Sequence, residues 1–248
     1  MPNLPAHMEL AYLAASRLES RVLNDNLGYF LLGSTSPDIR VITRRTREEY
    51  HFVELDFQQI GEGVESMFAS HPRLRVPGAL DYQTQAFMAG YITHLVADET
   101  WIVTMFRRYF GNPDVFSDDA TGLVMDRAVQ MELDRRAWDT VIDNRSQLRE
   151  ATENIDIGFI PTQTLFEWRD WILNFLDRGF TWERLGFMAR RIARGEESHP
   201  AYQVAADFIG NPTERLSELY EIVPSRDLQD YKERTVESLV GYVRDYIS

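Results

Sequence analysis

The chain has 248 residues, and its hydrophobic (44%) and aromatic (12%) contents are those of a folded globular protein rather than a disordered one. It contains no cysteine, which excludes disulfide bonds and thiolate metal sites, so a metal would have to be bound by His, Asp, Glu, backbone or water. With 26 basic and 39 acidic residues the net charge is −13, so we expect no general binding to nucleic acid or to an anionic membrane surface.

The spacing of apolar residues predicts helices along the first half of the chain. The first helix starts with Asn3 as its cap and Pro5 in its first turn, and its apolar stripe places His7 on the inward face. Further helices are predicted over about 56–70, 81–109 and 118–143. The helix over 81–109 is the most apolar of them and is expected to be the central buried helix.

The second half follows the same pattern. Helices are predicted over about 161–179, 181–195 and 202–209, and a last helix is interrupted at Pro224 and restarts at Ser225. The short runs 50–55 and 155–160 have a strand-like composition, but isolated strands offer no sheet. We therefore predict an all-α multi-helix bundle.

The predicted organisation is a single domain. It covers residues 1–248, with a core over 1–145 and a C-terminal helical part over 150–248. The longest apolar stretch, 86–97, is too short to span a bilayer, so no transmembrane segment is predicted. The first residues show no basic stretch followed by an apolar run, so we expect no secretory signal and a cytoplasmic protein.

Five side chains before residue 100 are candidate metal ligands because they lie beside apolar sequence: His7, Asp38, His51, His94 and Asp98. His94 and Asp98 are four residues apart in the central helix, so both lie on one face. Imidazole nitrogens and carboxylate oxygens are ligands of Zn²⁺. The pattern therefore favours a metal site built by several separate segments.

Each of these residues taken singly has an ordinary structural interpretation. His94 and Asp98 can form a buried ion pair, since an ionised carboxylate is rarely buried alone. His7 can be a core or capping histidine, and His51 can replace a buried aromatic residue. Asp38 follows a proline and suits a turn or a helix cap. Only the joint occurrence favours the metal.

The order of these residues resembles the zinc-dependent phospholipase C family, an all-α family related to the single-strand-specific fungal nucleases. The motif runs from His7 through Gly-Ser-x-x-Pro-Asp, ending at Asp38, and His-Phe, beginning at His51, to a glycine-containing helix with His94-x-x-x-Asp98. It covers roughly residues 5–101. The resemblance implies that Asp38, His51, His94 and Asp98 surround one zinc ion, and that His7 serves a neighbouring zinc bridged by Asp98.

The activity that follows is metal-assisted hydrolysis of a phosphoester, with a metal-activated water as the nucleophile. Asp38 is the expected orienting residue or general base. Four arginines lie in the loop between Asp38 and His51, and they either form a phosphate-binding rim beside the metal or belong to a solvated surface loop: Arg40, Arg44, Arg45 and Arg47. Of these, Arg40, Arg44 and Arg45 are the expected substrate-binding residues. The expected substrate is a small phosphoester or a phospholipid head group.

The chain departs from the family after the central helix. The best-known members hold three zinc ions, with further histidines and a glutamate there, whereas this chain has no histidine between His94 and His199. The next long helix offers acidic and amide side chains that either form a site for a harder cation or face solvent. They are Asp126, Gln130, Glu132 and Asp134.

Two expectations follow from this departure. One or two ions are expected, zinc or another divalent metal, instead of three. The alternative to an enzyme is a catalytically degenerate, metal-binding helical scaffold or interaction protein, since fold and ancestry alone do not establish activity.

Overall fold

The regular structure of the chain is helical, as the apolar periodicity predicts. The computed structural model describes residues 2–151 and 155–248, and these ranges contain no β-strand. The helices are α1 Leu4–Leu18, α2 Arg21–Asp25, α3 Leu27–Gly33, α4 Arg40–Thr43, α5 Glu48–His51, α6 Glu62–Ser70, α7 Tyr82–Trp101, α8 Asp119–Asp143, α9 Arg145–Glu150, α10 Thr162–Asp177, α11 Arg184–Ala193, α12 Ala201–Gly210, α13 Pro212–Ile222 and α14 Ser225–Ile247. Three 3₁₀ turns (Ser36–Ile39, Pro72–Arg75, Pro77–Ala79) and one π-helical segment complete them. The all-α prediction is confirmed.

The helix predicted over 81–109 consists of two segments of different geometry. The side chain of Asp81 accepts a hydrogen bond from the backbone N–H of Thr84 at 2.7 Å, which caps α7. The chain continues beyond α7 as a π-helix over Ile102–Phe110. Nearly every residue of α7 is buried, so this helix is the predicted central element.

The short helix α3, which apolar periodicity did not predict, packs backbone to backbone against α7. A Cβ atom added to Gly90 would lie 1.9 Å from the carbonyl oxygen of Phe30, and one added to Gly33 would lie 2.0 Å from that of Phe87. The two glycines therefore allow the helices to approach closely. This contact positions the 3₁₀ turn that follows α3 and carries Asp38.

Helix α6 begins later than predicted. The predicted segment starts at residue 56, but the helix starts at Glu62 because Gly61 adopts a left-handed conformation, with φ +103°. The carboxylate of Glu99 on α7 accepts hydrogen bonds from the backbone N–H groups of Gly61 and Gly63. This tertiary cap fixes the helix start, and burial raises the pKa of Glu99 to about 7.

Two apolar clusters form the core of the described ranges. The first joins α1, α3, α7, α10 and α14, and the second joins the π-helix to α8, α11, α12 and α13. Helix α7 passes from the first cluster to the second between Ala97 and Trp101, which is the stretch that holds Asp98. No helix in the described part of the chain is long and apolar enough to cross a membrane.

Candidate metal centre

The five side chains singled out by the sequence come together in space. His7 is on α1, Asp38 on the 3₁₀ turn after α3, His51 at the end of α5, and His94 and Asp98 on α7. Two sets of three ligand atoms, each within 4.8 Å of one another, are present: His7, His94, Asp98 and Asp38, His51, His94. The histidines and Asp98 are buried, at 0–2% exposure, whereas Asp38 is partly exposed. Asp38 therefore lies on the side that solvent reaches.

His94 presents one free nitrogen to this cluster. Its Nδ1–H group donates to the backbone carbonyl of Ser34 at 2.9 Å, so the proton is assigned to Nδ1 and the Nε2 lone pair is free. Nε2 lies 3.3 Å from Nε2 of His51 and 3.7 Å from Oδ2 of Asp98. The His94 ring stacks on that of His7, with centroids 3.8 Å apart and planes 11° from parallel. Imidazoles that bind a metal commonly donate their other N–H group to a backbone carbonyl, which fixes the tautomer and the orientation of the ring.

The carboxylate of Asp98 lies among three basic groups from two other segments, α1 and the stretch 47–51. Its Oδ1 is 3.2 Å from Nε2 of His7, and its Oδ2 is 3.2 Å from Nε2 of His51 and 3.1 Å from Nη2 of Arg47. Burial alone would raise the pKa of Asp98, but the neighbouring His94, the close Nε2 atoms of His51 and His7, and the charge of Arg47 hold it well below its usual value. Asp98 is therefore ionised.

His94 and His51 are held as neutral imidazoles. Burial and then the neighbouring His7 lower the pKa of His94 well below its usual value. Burial, followed by the charge of Arg47, also lowers the pKa of His51. Neutral imidazoles beside an ionised carboxylate are the protonation states that metal ligands require.

Several polar atoms of the cluster lack hydrogen-bond partners although they are buried. Within the described ranges these include Nε2 of His7, Oδ1 of Asp98 and Nδ1 of His51. The first two lie 3.2 Å apart but are not aligned for a hydrogen bond. Since buried polar atoms normally have partners, a cation bound by these lone pairs would satisfy them. The residues present thus fit a metal ion.

Arg47 is part of the cluster, although the sequence indicated it only as one of the four arginines of the rim and not as a partner of Asp98. It is only 8% exposed, and beyond its contact with Asp98 its Nε and Nη1 atoms have no partner among the described residues. It lies on the turn that leads into α5, four residues before His51. That spacing, which places the two side chains on one helix face, is the signal that could have identified it.

The arginines predicted to form a rim beside the metal differ in their exposure to solvent. Arg45 is exposed and bonded to Glu49, with Nη1 and Oε2 3.1 Å apart, so it follows the solvated-loop interpretation. Arg44 is exposed at the end of α4, whereas Arg40, in the first turn of α4 after Asp38, is half-buried.

The polar residues of α8 are buried, so the interpretation that they face solvent is wrong. Asp126 accepts hydrogen bonds from Nε1 of Trp101 at 2.9 Å and Nε2 of Gln130 at 2.7 Å. Gln130 in turn accepts one from Nη1 of Arg127 at 2.7 Å. These atoms are used within a protein network, and the described residues place no metal-binding group of ligands there.

The other two acidic residues of α8 also have structural partners. Asp134 accepts hydrogen bonds from the Asn3 side chain at 2.9 Å and the Ala6 backbone N–H at 3.2 Å, which ties the start of α1 to α8. Glu132 is bonded to Arg135 and Arg136 on its own helix. The alternative of a harder-cation site on α8 thus finds no support in the described residues.

Comparison with known families agrees with the motif order. Residues 6–105 match the family model described as Zinc dependent phospholipase C, and this segment contains all five predicted ligands. The resemblance read from the motifs is thereby confirmed over this segment. No curated protein matches the chain, and no solved structure matches it either.

Proposed function

We propose that this chain, with its zinc-dependent phospholipase C segment over residues 6–105, is a metal-dependent hydrolase of phosphoesters. The observation that carries the proposal is the convergence of three imidazole groups and one ionised carboxylate from three helices. Such a cluster is costly to bury without a cation that satisfies its lone pairs. The chain contains no thiolate, so zinc is the favoured ion for this nitrogen-rich donor set, with another divalent metal as the alternative.

The residues that would hold the ion follow from the free lone pairs. His94 offers only Nε2, so it can bind one ion and cannot serve both sets of three at once. Asp98 has one oxygen towards His7 and the other towards His51. A first ion bound by His94 and His51 therefore leaves His7 and one oxygen of Asp98 for a second ion. The proposed content is one or two ions per chain.

A bound zinc ion supplies Lewis acidity, which lowers the pKa of a water ligand towards about 7 and polarises a phosphoryl oxygen. We assign Asp38 to orient the attacking water and to accept its proton, because its carboxylate is within 4.8 Å of the ligand atoms of His51 and His94 and is itself partly exposed. The buried Arg47 adds a fixed positive charge that attracts the phosphate. The substrate class is a small phosphoester or a phospholipid head group.

The test begins with the metal. Protein purified without a histidine tag and without chelator is expected to contain about one to two equivalents of zinc by elemental analysis. Less than about a tenth of an equivalent, with no divalent metal restoring more, would overturn the proposal. Turnover of p-nitrophenyl phosphate monoesters and diesters by the metal-loaded protein then separates the enzyme from its alternative. Metal without turnover supports the catalytically degenerate scaffold.

A further inference from the structure

Backbone carbonyls in the segment 34–38 hold two of the proposed metal ligands. The carbonyl of Ser34 accepts the hydrogen bond from Nδ1 of His94 at 2.9 Å. The carbonyl of Thr35 accepts one from the backbone N–H of Asp38 at 3.1 Å. The positions of the His94 ring and of the Asp38 carboxylate therefore both depend on where this segment lies.

The segment is shaped by local hydrogen bonds. Part of it is the 3₁₀ turn Ser36–Ile39, a geometry whose hydrogen bonds are weaker than those of an α-helix. Three consecutive buried hydroxyl groups donate to backbone carbonyls near the end of α3: Ser34 to Leu31 at 2.8 Å, Thr35 to Leu32 at 2.8 Å and Ser36 to Leu32 at 2.7 Å. These bonds set the local shape of the turn. Its position relative to the other helices depends on tertiary contacts.

A tryptophan on α10 makes such a tertiary contact. Nε1 of Trp168 lies 3.3 Å from Oγ1 of Thr35, and both side chains are fully buried, at 0% exposure. The direction of the bond is fixed, because an indole N–H only donates and the hydroxyl proton of Thr35 is already directed at Leu32. Thr35 thus links Trp168, through its side chain, to Asp38, through its carbonyl.

The indole of Trp168 is held in place by a stack of rings along α10. Its ring lies nearly parallel to that of Trp171, with centroids 5.0 Å apart and planes 10° from parallel. Trp171 stacks in the same way on Phe175, at 5.6 Å and 15°. The guanidinium of Arg184, on α11, lies over the Phe175 ring, 4.0 Å from its centroid. A donor that is buried and locked by packing can position the group that it bonds.

We infer that Trp168 is a positioning residue of the proposed metal site and that it acts through Thr35. A buried indole N–H commonly finds a partner, but here the partner lies in the segment that holds both Asp38 and His94. Removal of groups that support metal ligands typically lowers metal affinity or activity by about 10- to 100-fold. This inference rests on the proposed function for its metal. Trp168 lies outside the segment 6–105, so the C-terminal part of the chain contributes to the geometry of the site.

The first test removes the indole N–H and measures zinc affinity, which does not need turnover. Trp168→Phe keeps an aromatic ring but has no donor, and it is expected to bind zinc about tenfold or more weakly in competition with a chromophoric chelator. Thr35→Val removes the acceptor, keeps the shape of the side chain and is expected to have a similar effect. Because both variants break one contact, the double variant should be within about twofold of the weaker single variant. A zinc affinity of Trp168→Phe within about threefold of the wild type would overturn the inference.

Two controls separate the hydrogen bond from packing. Trp171→Phe makes the same substitution one turn later on α10, in a ring that stacks on Trp168 but, among the described residues, does not donate to Thr35. Thr35→Ser is the conservative variant that keeps the hydroxyl acceptor. Both are expected to bind zinc within about threefold of the wild type. An equal loss in Trp168→Phe and Trp171→Phe would show a packing effect and would contradict the inference.

A second measurement reads the position of the turn without any metal. The backbone N–H of Asp38 is bonded to the carbonyl of Thr35, so its hydrogen exchange in the metal-free protein reports whether the turn is held. In Trp168→Phe we expect this exchange, measured by NMR, to be at least about tenfold faster than in the wild type. The buried amides of α7 serve as the reference for a change in global stability. An unchanged ratio of the two exchange rates would overturn the inference.

These results separate the inference from the proposed function. If the wild type binds zinc and hydrolyses p-nitrophenyl esters while Trp168→Phe matches Trp171→Phe, the proposed function stands and the inference fails. If the wild type binds no zinc, the proposed function fails, and the exchange of the Asp38 amide alone decides whether Trp168 positions the turn.

The kinetic constants give the last test. In Trp168→Phe, kcat should fall about tenfold and KM should change by about twofold or less, since Asp38 is assigned to the attacking water and not to substrate binding. Thr35→Ser should retain most of the wild-type kcat, because it keeps the acceptor for the indole N–H. A higher KM with an unchanged kcat in Trp168→Phe would contradict the inference.

Discussion

The Nε2 atoms of His51 and His94 face each other at 3.3 Å in the buried centre of the protein. Because Nδ1 of His94 donates to the carbonyl of Ser34, only His51 can supply a proton to this contact. The ionised carboxylate of Asp98 lies beside both rings, 3.2 Å from Nε2 of His51 and 3.7 Å from Nε2 of His94. The stability of α5 against α7 therefore depends on these polar groups as well as on apolar packing.

We expect His94→Ala and Asp98→Ala to lose most of the bound metal and to be less stable than the wild type. Removing Asp98 leaves the charge of Arg47 buried and unpaired, which costs about 3–5 kcal/mol. Elemental analysis and urea unfolding, with and without chelator, measure the two effects. His199→Asn is the control, since among the described residues the His199 side chain makes one hydrogen bond, which it accepts from the backbone N–H of Ala201. Full metal occupancy in either alanine variant would refute the assignment.

Arg47→Met is expected to have opposite effects on the metal-free and metal-bound protein. The guanidinium is a permanent positive charge 3.1 Å from an oxygen of Asp98, so it stabilises the metal-free cluster and repels a divalent cation. Without it, the metal-free protein should be less stable by on the order of 3 kcal/mol, and zinc should bind more tightly. Thermal unfolding at increasing zinc concentrations measures both quantities. Unchanged zinc affinity would show that Arg47 lies outside the ion's electrostatic range.

Asp38→Asn is expected to reduce turnover strongly while leaving the fold intact. Asp38 is partly exposed, so its replacement by an isosteric amide costs little stability, but the amide cannot accept a proton from water. The rate constant for p-nitrophenyl ester hydrolysis should fall about 10²- to 10⁴-fold. Asp25→Asn, at an exposed position, controls for the change in charge. A rate within about threefold of the wild type would exclude Asp38 as the base.

The elements predicted from the sequence are those with long apolar periodicity. The starts of helices α7 and α8 were located within one residue, because the capping residues that fix them, Asp81 and Asp118, and the apolar stripe that follows are local features of the sequence. Helix α3 was missed because Leu27–Gly33 is short and apolar on all sides, so it shows no periodicity. The start of α6 was misplaced because it is fixed by Glu99, a distant residue.

In the candidate site, too, local features were predicted from the sequence, whereas features that depend on distant residues were not. Its five metal-capable residues were identified from the order of short motifs, which does not require the fold. The contact of Arg47 with Asp98 was missed because Arg47 stands among other arginines in a polar stretch, and its burial depends on Asp98, 51 residues away. The burial of Asp134 was missed for a similar reason, since its partners Asn3 and Ala6 are on the other side of a helix–helix contact.

Asp134 is expected to make the stability of the protein depend on pH. Burial raises its pKa to about 7, although hydrogen bonds from Asn3 and Ala6 act in the opposite direction. Because the folded pKa exceeds 3.8, the ordinary value for an aspartate, the folded state binds this proton more tightly than the unfolded state. Its contribution to stability is complete below about pH 4 and is lost as the pH rises through about 7.

The isosteric variant Asp134→Asn isolates this contribution. The difference in free energy of unfolding, wild type minus variant, should fall by on the order of 4 kcal/mol between about pH 4 and pH 8. Urea unfolding at a series of pH values gives the difference directly. Asp139→Asn, at an exposed position on the same helix, should give a difference that is nearly independent of pH. A flat difference for Asp134→Asn would mean that the carboxyl is solvated.

Gly90→Ala is expected to disturb the contact between α3 and α7 and, through it, the metal site. The added methyl group would lie 1.9 Å from the carbonyl oxygen of Phe30, a backbone atom that moves only if α3 moves. We expect a loss of about 3 kcal/mol or more in the free energy of unfolding. Zinc content should fall too, because the segment after α3 carries Ser34 and Asp38.

The matched control for this substitution is Gly241→Ala on α14. Apart from the backbone of its own helix, no atom of the described residues lies within 4 Å of the Cβ position there, so alanine should stabilise the helix by about 0.5–1 kcal/mol through its higher helix propensity. Urea unfolding and zinc content are measured for both variants under the same conditions. If Gly90→Ala were also stabilising and kept its zinc, the close approach of α3 to α7 would be refuted. The role of this helix contact in positioning Ser34 and Asp38 would be refuted as well.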